Sequence, residues 1–247
     1  IRDSYADSPR IDFETWVDWK EHQHLLKVHF PIDVHTDEAS FDIQFGNLTR
    51  KVHTNTSWDQ ARFESCGQKW MDLSEGHYGV SLLNDCKYGH SVKDCEMALT
   101  LIKSGIEPNP TADQEEHVFT YSILPHSGNL RESDTVYEGY CLNFPVHVSM
   151  GSAFGKTDSF VSCDSKNVMI ETVKEVEDGN GIIIRAYEYE NSRTQATFTF
   201  GMGRTIESVQ ECNLIEEPEG EMIAHTDDSF CFTIKPYEIK SYRVVLK

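Results

Sequence analysis

Few of the titratable side chains in this 247-residue sequence form a pattern that carries chemistry. His22 and His24 are one residue apart and would share a face of an extended segment, which is the minimum for a metal site. A third ligand at a fixed spacing is missing, so we interpret the pair as exposed polar residues. The sequence has no Gly-x-Ser-x-Gly elbow, no phosphate-binding glycine loop and no His-Glu-x-x-His motif.

Three carboxylates between residues 64 and 75 are candidates for the acid pair of a glycosidase. Glu64, Asp72 and Glu75 are near one another in sequence, and glycoside hydrolysis commonly uses two carboxyl groups. Nothing in the sequence fixes their separation, so hydrogen bonding at strand ends is the favoured interpretation. We therefore assign no catalytic residue from the sequence.

The charge and hydropathy of the chain limit its partners. A formal net charge of −19 argues against an electrostatic nucleic-acid partner, because neutralising phosphates needs clustered Lys and Arg. No apolar run approaches the roughly 18 residues that span a bilayer, so no membrane partner is expected. The first residue is Ile rather than Met, and we expect the chain to be a piece of a longer polypeptide.

The seven cysteines predict reduced thiols. Their number is odd and no Cys-x-x-Cys spacing occurs, which suits a cytoplasmic protein. One pairing stays open: if residues 85–94 form a hairpin that turns at His90 and Ser91, Cys86 and Cys95 would face each other.

Alternation of apolar and polar residues predicts strands along most of the chain. The clearest case is a segment in which Phe41, Ile43 and Phe45 alternate with Asp42 and Gln44, as on a strand with one buried face. The strands are predicted at 10–19, 25–32, 39–46, 62–66, 69–73, 79–83, 97–102, 118–124, 140–145, 168–174, 181–189, 197–200, 208–212, 229–234 and 242–246.

Helical periodicity is rare, which sets the fold class. The best helix candidate is the short segment 129–138, and a stretch of small residues at 149–156 predicts a linker. We predict an all-β, sandwich-like protein. Its predicted domains are 1–158, a large one, and 159–247, a small one.

The order of short motifs between residues 56 and 89 resembles a known family. The motifs are TSWD (56–59), ARFE (61–64), KWMDLSE (69–75) and YGVSLLNDCKYG (78–89). This order is similar to the non-catalytic β-rich half of the glycoside hydrolase family 38 α-mannosidases, in their cytosolic and vacuolar branch. The similarity is close over 10–147 and loose beyond. It implies a large galactose-mutarotase-like supersandwich followed by a small C-terminal β-sandwich.

The resemblance also implies a function for the parent protein. Such enzymes hydrolyse terminal α-mannosides of oligosaccharides by a retaining, zinc-dependent mechanism, with the nucleophile, the acid/base and the zinc on preceding domains. None of those motifs lies in this chain, so no catalytic or metal-binding residue is transferred and the chain alone is expected to be inactive. Its expected partners are a mannose-containing oligosaccharide and the catalytic domain of the same polypeptide, and homo-oligomer formation is left open. The alternative is a stand-alone carbohydrate-binding or mutarotase-like module.

Four side chains are substrate-binding candidates under this resemblance. Lys103 follows the strand 97–102 in a segment where the family usually carries Arg facing the cleft, and a Lys is a point charge rather than a planar fork. Arg62, Trp70 and Tyr88 are weaker candidates, because Arg and aromatic side chains suit sugar hydroxyls and sugar faces. Ordinary packing is the competing interpretation for all four.

Overall fold

The computed structural model describes residues 2–3, 8–151 and 158–247. The chain divides into two compact units, residues 1–148 and 149–247. The domain bounds 1–158 and 159–247 stay predictions, and most of the predicted linker, residues 152–157, lies outside the described residues. Within the described residues, no helix is long and apolar enough to cross a membrane.

Unit 1 consists mainly of antiparallel strands. Its described strands are β1 (Arg2–Asp3), β2 (Ile11–Asp18), β3 (Leu25–Pro31), β4 (Glu38–Ile43), β5 (Gly46–Lys51), β6 (Ser65–Cys66), β7 (Trp70–Ser74), β8 (Tyr78–Asn84), β9 (Gly89–Lys93), β10 (Glu96–Lys103) and β11 (Glu116–Ser127). Its described helices are α1 (Ser57–Gln60) and α2 (Thr135–Asn143).

The strands of unit 1 form two sheets with an apolar core. One sheet has the order β1-β2-β11-β8-β7-β4-β5 and the other β3-β10-β9-β6. Met71 and Leu73 of β7 and Leu82 of β8 belong to one buried cluster with Met97 and Leu99 of β10. Alternation along each strand therefore produces the sandwich that the sequence predicted.

Unit 2 is a smaller sandwich with its own core. Its described strands are β12 (Val161–Cys163), β13 (Val168–Glu175), β14 (Ile182–Glu188), β15 (Thr194–Phe200), β16 (Ile206–Cys212), β17 (Pro218–Met222), β18 (Ser229–Ile234) and β19 (Ile239–Leu246). They form the sheets β12-β15-β18 and β13-β14-β19-β16-β17. Phe198, Phe230, Phe232 and Tyr242 pack in the core, with ring centroids 4.6 Å apart for Phe198 and Phe232. The all-β fold class is confirmed.

Several local predictions are wrong. The helix covers Thr135–Asn143 instead of 129–138, and the strand predicted at 140–145 is partly helical. The position of the helix depends on a tertiary contact. Gly139 approaches Trp70 so closely that a Cβ at residue 139 would lie 3.0 Å from the indole Cδ1. The helix buries Thr135, Val136 and Gly139, a face that the apolar pattern of 129–138 does not mark.

The hairpin on which the open Cys86–Cys95 pairing depended does not form. His90 and Ser91 lie inside β9, and the chain turns at Asp94 and Cys95 instead. All seven cysteines lie in the described ranges and are free thiols.

The alternation over 39–46 breaks at its end. Phe45 lies in the turn between β4 and β5 with φ of 53° and is exposed, whereas Asp42 is buried. The Asp42 carboxylate accepts a hydrogen bond from the Lys69 backbone N–H at 2.8 Å and lies 3.1 Å from the Lys69 ammonium. A carboxylate can be buried when it is paired. The alternation of apolar and polar residues does not show which carboxylates are paired.

A buried polar network fixes α2 on the outer face of the larger sheet. The carboxylate of Asp72 accepts hydrogen bonds from Ser74 at 2.5 Å and from Ser81 at 2.8 Å, and it lies 2.8 Å from His126 Nε2. Ser81 in turn contacts the hydroxyl of Thr135, the first residue of α2, at 2.6 Å. Because Asp72, Ser81 and Thr135 are buried, the network depends on complete pairing.

Removing the Asp72 carboxylate should destabilise unit 1. We expect Asp72→Ala to lower the free energy of unfolding by about 3 kcal/mol, because it leaves the His126 ring and the buried Ser81 hydroxyl without their acceptor. The matched control is Asp37→Ala, which removes an exposed pair with Lys51 and should cost much less, because a solvent-exposed ion pair contributes little to stability. Urea unfolding followed by tryptophan fluorescence reports unit 1, since Trp16, Trp19, Trp58 and Trp70 all lie there. Equal losses in the two variants would contradict this role.

Two buried histidines respond to pH with opposite sign. Burial disfavours a charged His126, but the hydrogen bond and charge of Asp72 outweigh burial and raise its pKa. Burial lowers the pKa of His90 to about 4. The stabilisation from His126 is therefore present below pH about 6.5 and lost as the pH rises through its folded pKa. The contribution of His90 is lost as the pH falls from about 6.5 to about 4.

Replacing each histidine should change the pH dependence of unit 1 in opposite directions. The difference in unfolding free energy between the wild type and His126→Gln should be larger at pH 5.5 than at pH 8. His90→Gln should lose less stability than the wild type over the same fall in pH. Urea unfolding at the two pH values measures both effects, and parallel curves for all three proteins would refute the assignment.

Candidate functional site

A cavity at the paired ends of β3 and β10 contains the first of the predicted site residues. We call it the Lys103 cavity, and its volume is about 790 Å³. Lys103, the last residue of β10, pairs with Leu25, the first residue of β3, so the sheet end places both at the opening. The lining residues are Gln23, His24, Leu25, Lys27, Phe63, Glu64, Lys103, Ser104, Gly105, Ile106 and Glu107.

The sheet positions a carboxylate and an ammonium group side by side in the Lys103 cavity. Lys27 projects from β3, and its ammonium donates to Glu64 Oε1 at 3.0 Å and to Ser91 Oγ at 3.0 Å. Thr100 of β10 also donates to Glu64 Oε1. Glu64 is thus held by two strands of the smaller sheet.

The electrostatics keep Glu64 ionised. Burial by itself raises the pKa of the carboxyl, but hydrogen bonds from Thr100 and Lys27 and the charges of Lys27 and Lys103 outweigh it and lower the pKa. A carboxyl group with a lowered pKa is a poor general acid near neutral pH. Glu64 is therefore suited to accepting hydrogen bonds from a ligand rather than to donating a proton.

Apolar side chains form the rim of the Lys103 cavity. Phe63 is 82% exposed, and Leu25 and Ile106 are 48% and 43% exposed. The floor is fixed because Trp19 Nε1 donates to Ser104 Oγ and the Ser104 backbone N–H donates to the His24 carbonyl at 3.0 Å. A fixed floor, exposed apolar side chains and a few charged groups are features that small-molecule sites share.

The other three predicted substrate residues lie elsewhere. Arg62 lines a neighbouring cavity, where it donates to the Lys51 carbonyl at 2.7 Å and to Asp59 at 2.8 Å. Tyr88 is 54% exposed and lines neither of these two cavities. Trp70 is 1% exposed, so its ring is a core residue beneath α2 and the substrate-binding interpretation is wrong for it.

The remaining sequence candidates make structural contacts. Glu75 accepts a hydrogen bond from the His35 backbone N–H at 2.8 Å. Asp72 lies in the buried network with Ser81 and His126, where the serine donates to the carboxylate instead of to the imidazole. A nucleophilic serine needs the imidazole as its base, so this cluster is not a catalytic triad.

The described residues do not fit a metal centre. Across 8–151 and 158–247, no group of three or more His, Cys, Asp or Glu side chains could hold a metal ion. His22 and His24 are exposed, and the His22 ring lies 2.8 Å from the Gln114 amide nitrogen. We therefore assign no zinc ligand in this part of the chain.

Among the lining residues of the Lys103 cavity that sequence reasoning missed, Phe63 and Lys27 matter most for its chemistry. Phe63 lies between two charged residues in an irregular segment, and the sequence carries no signal of its exposure. Lys27 alternates with the apolar residues of β3, so the pattern predicts that it faces away from the core. The pattern does not show that Lys27 contacts Glu64, which is 37 residues away in sequence.

The fold and the cavity define an all-β sandwich protein with a polar, aromatic-rimmed surface site. Comparison with protein families agrees: Glycosyl hydrolases family 38 C-terminal domain matches residues 3–111, and Glycosyl hydrolases family 38 C-terminal beta sandwich domain matches residues 167–242. The chain belongs to glycoside hydrolase family 38 and corresponds to the C-terminal domains of that family, as its motifs predicted.

Curated relatives extend the match over nearly the whole chain. Alpha-mannosidase G of Dictyostelium discoideum is 39% identical over 98% of this chain, and human Alpha-mannosidase 2C1 is 36% identical over 97%. The Alpha-mannosidase of Saccharomyces cerevisiae is 34% identical over 97%. This chain spans only 23%, 23% and 24% of those three proteins, about a quarter of their length.

Solved structures support the fold. The crystal structure of an alpha-mannosidase from Enterococcus faecalis V583 superposes with a TM-score of 0.78 at 20% sequence identity. The superposition covers 96% of this chain and 27% of that protein.

The environment of Glu64 can be tested directly. We expect Lys27→Gln to raise the Glu64 pKa more than Lys103→Gln does, because Lys27 contributes a hydrogen bond and a charge whereas Lys103 contributes only a charge. Lys20→Gln, at an exposed pair with Asp18, is the control and should leave it unchanged. Carboxyl carbon NMR titration of Glu64 measures all three. A pKa in Lys27→Gln equal to that of the wild type would show that the contact does not form.

Proposed function

We propose that this chain is the non-catalytic C-terminal β region of a cytoplasmic, zinc-dependent, retaining α-mannosidase that hydrolyses terminal α-mannosides of oligosaccharides. In this proposal the region supports the catalytic barrel, and the Lys103 cavity forms part of the cleft wall. The observation that carries the proposal is a match over 97–98% of the chain to about a quarter of three α-mannosidases. The seven free thiols support the cytoplasmic location.

The chemistry of the Lys103 cavity favours binding over catalysis. Glycoside hydrolysis with two carboxyl groups needs one of them protonated as the acid, whereas the contacts of Glu64 stabilise its ionised form. The ammonium group of Lys103 and the exposed ring of Phe63 can instead contact sugar hydroxyls and a sugar face. The nucleophile, the acid/base and the zinc ligands are assigned to the preceding domains of the same polypeptide.

A second function is supported by the same cavity. Because the Lys103 cavity is formed within unit 1, a stand-alone carbohydrate-binding or mutarotase-like module could use it without a catalytic partner. The two functions differ in the size of the native polypeptide. The mannosidase proposal requires a product of about four times the 28.3 kDa mass of this chain, since the chain spans 23% of its relatives.

The experiment begins with the intact mass of the native product and continues with variants of the complete polypeptide. We expect Lys103→Gln and Phe63→Ala each to lower kcat/KM for an α-mannoside by roughly three- to tenfold, mainly through KM, because each removes one binding contact. The control Lys87→Gln changes a cation that lies over the Phe119 ring and should have no effect.

Each result separates the two functions. A native product near 28.3 kDa would overturn the mannosidase proposal and favour a binding module. A long, active product with unchanged kinetics in both variants would retain the mannosidase and remove the Lys103 cavity from the cleft.

A further inference from the structure

A second cavity in unit 1 contains a cation without a counter-ion. We call it the Arg50 cavity. It has a volume of about 510 Å³ and lies between the outer face of the smaller sheet and the segment 50–65. Its lining includes the cations Arg50, Arg62 and Lys93 and the carboxylates of Asp59, Glu64 and Glu96.

The guanidinium of Arg50 has no polar partner within the described residues. Its carbon Cζ lies 4.5 Å from the centre of the Phe41 ring, and its Nη1 is buried without a hydrogen bond. Burial, together with the charge of Arg62, lowers the pKa of Arg50, although an arginine stays charged at neutral pH. A partly buried charge without a partner is costly, so this site is electrostatically incomplete.

The carboxylates around the Arg50 cavity are already paired. Asp59 lies 2.8 Å from Arg62, and Glu64 lies 3.0 Å from Lys27. Glu96 lies 2.6 Å from the His29 ring nitrogen and is the cross-strand neighbour of Lys93 in the β9–β10 pair. Lys93, which is exposed, has no ion pair in the described part of the chain. Arg50 and Lys93 thus line the cavity without an ion pair in the described part of the chain, although the net charge of the whole chain is −19.

We propose that the Arg50 cavity binds a small phosphate monoester of a sugar. A phosphate monoester carries a charge of about −1.5 to −2 near pH 7, which matches two unpaired cations, and the planar guanidinium fork suits its oxygens. The hydroxyls and amide of Thr54, Gln60 and Ser91 can contact sugar hydroxyls.

Two further features favour a sugar ester over a free anion. The exposed ring of Phe63 lines the Arg50 cavity as well as the Lys103 cavity, so it offers a face for a sugar ring. The volume is also that of sites for small organic ligands, which lie in the range of about 300–1,000 Å³, and exceeds what phosphate alone would occupy. Apart from Phe63 and Glu64, this site uses other side chains than the Lys103 cavity, and it would give the non-catalytic region a ligand of its own.

Calorimetric titration of the full chain tests the proposal with four probes: glucose 6-phosphate, mannose 6-phosphate, inorganic phosphate and glucose. We expect both esters to bind more tightly than phosphate, glucose not to bind, and affinity to fall with added salt. Arg50→Gln should weaken ester binding roughly 10- to 100-fold. Lys93→Gln, at an exposed position that leaves the core intact, should weaken it roughly threefold.

The control variant is Lys87→Gln, which removes a cation over an aromatic ring outside both cavities and should bind like the wild type. Absence of ester binding to the wild type, or equal affinity in the wild type, Arg50→Gln and Lys93→Gln, would overturn the site. Equal affinity for inorganic phosphate and the esters would overturn the sugar ester as ligand. If Arg50→Gln does not fold, the result with Lys93→Gln decides.

Discussion

Burial of β7 and β8 on both faces is the constraint on which the rest of unit 1 depends. On the inner face, Met71, Leu73 and Leu82 join the core between the two sheets. On the outer face, Asp72 and Ser81 are polar but equally buried, because α2 covers them and supplies the hydroxyl of Thr135. A carboxylate in this position is stable only with its hydrogen-bond donors present, so strand, helix and His126 form one interdependent group.

The outer face of the smaller sheet of unit 1 is covered only in part. The segment 50–65 crosses it without filling the space beneath, and Phe63 separates two cavities with different chemistry. In the Lys103 cavity the carboxylate of Glu64 is balanced by Lys27 and Lys103. In the Arg50 cavity positive charge is left over. Arg50 and Lys93 both line this cavity without an ion pair in the described part of the chain, and positive potential in a concave site attracts anions.

The strands show how far local pattern determines structure. Alternation located β2, β3, β10, β13 and β18 correctly, because one face of each packs on a core. The pattern failed at α2 and at Asp42, where the deciding contacts are with Trp70 and Lys69. Both contacts join residues that are distant in sequence, and no local propensity encodes them.

The sequence by itself determined the all-β class, most strand positions and, through its motif order, the family. These follow from side-chain periodicity and from residues adjacent in the chain. The tertiary structure alone decided which charged residues meet: that Lys27 pairs with Glu64, that Trp70 is buried while Phe63 is exposed, and that Arg50 has no counter-ion. The physical reason is that charge pairing and burial depend on distances across strands, which sequence spacing does not fix.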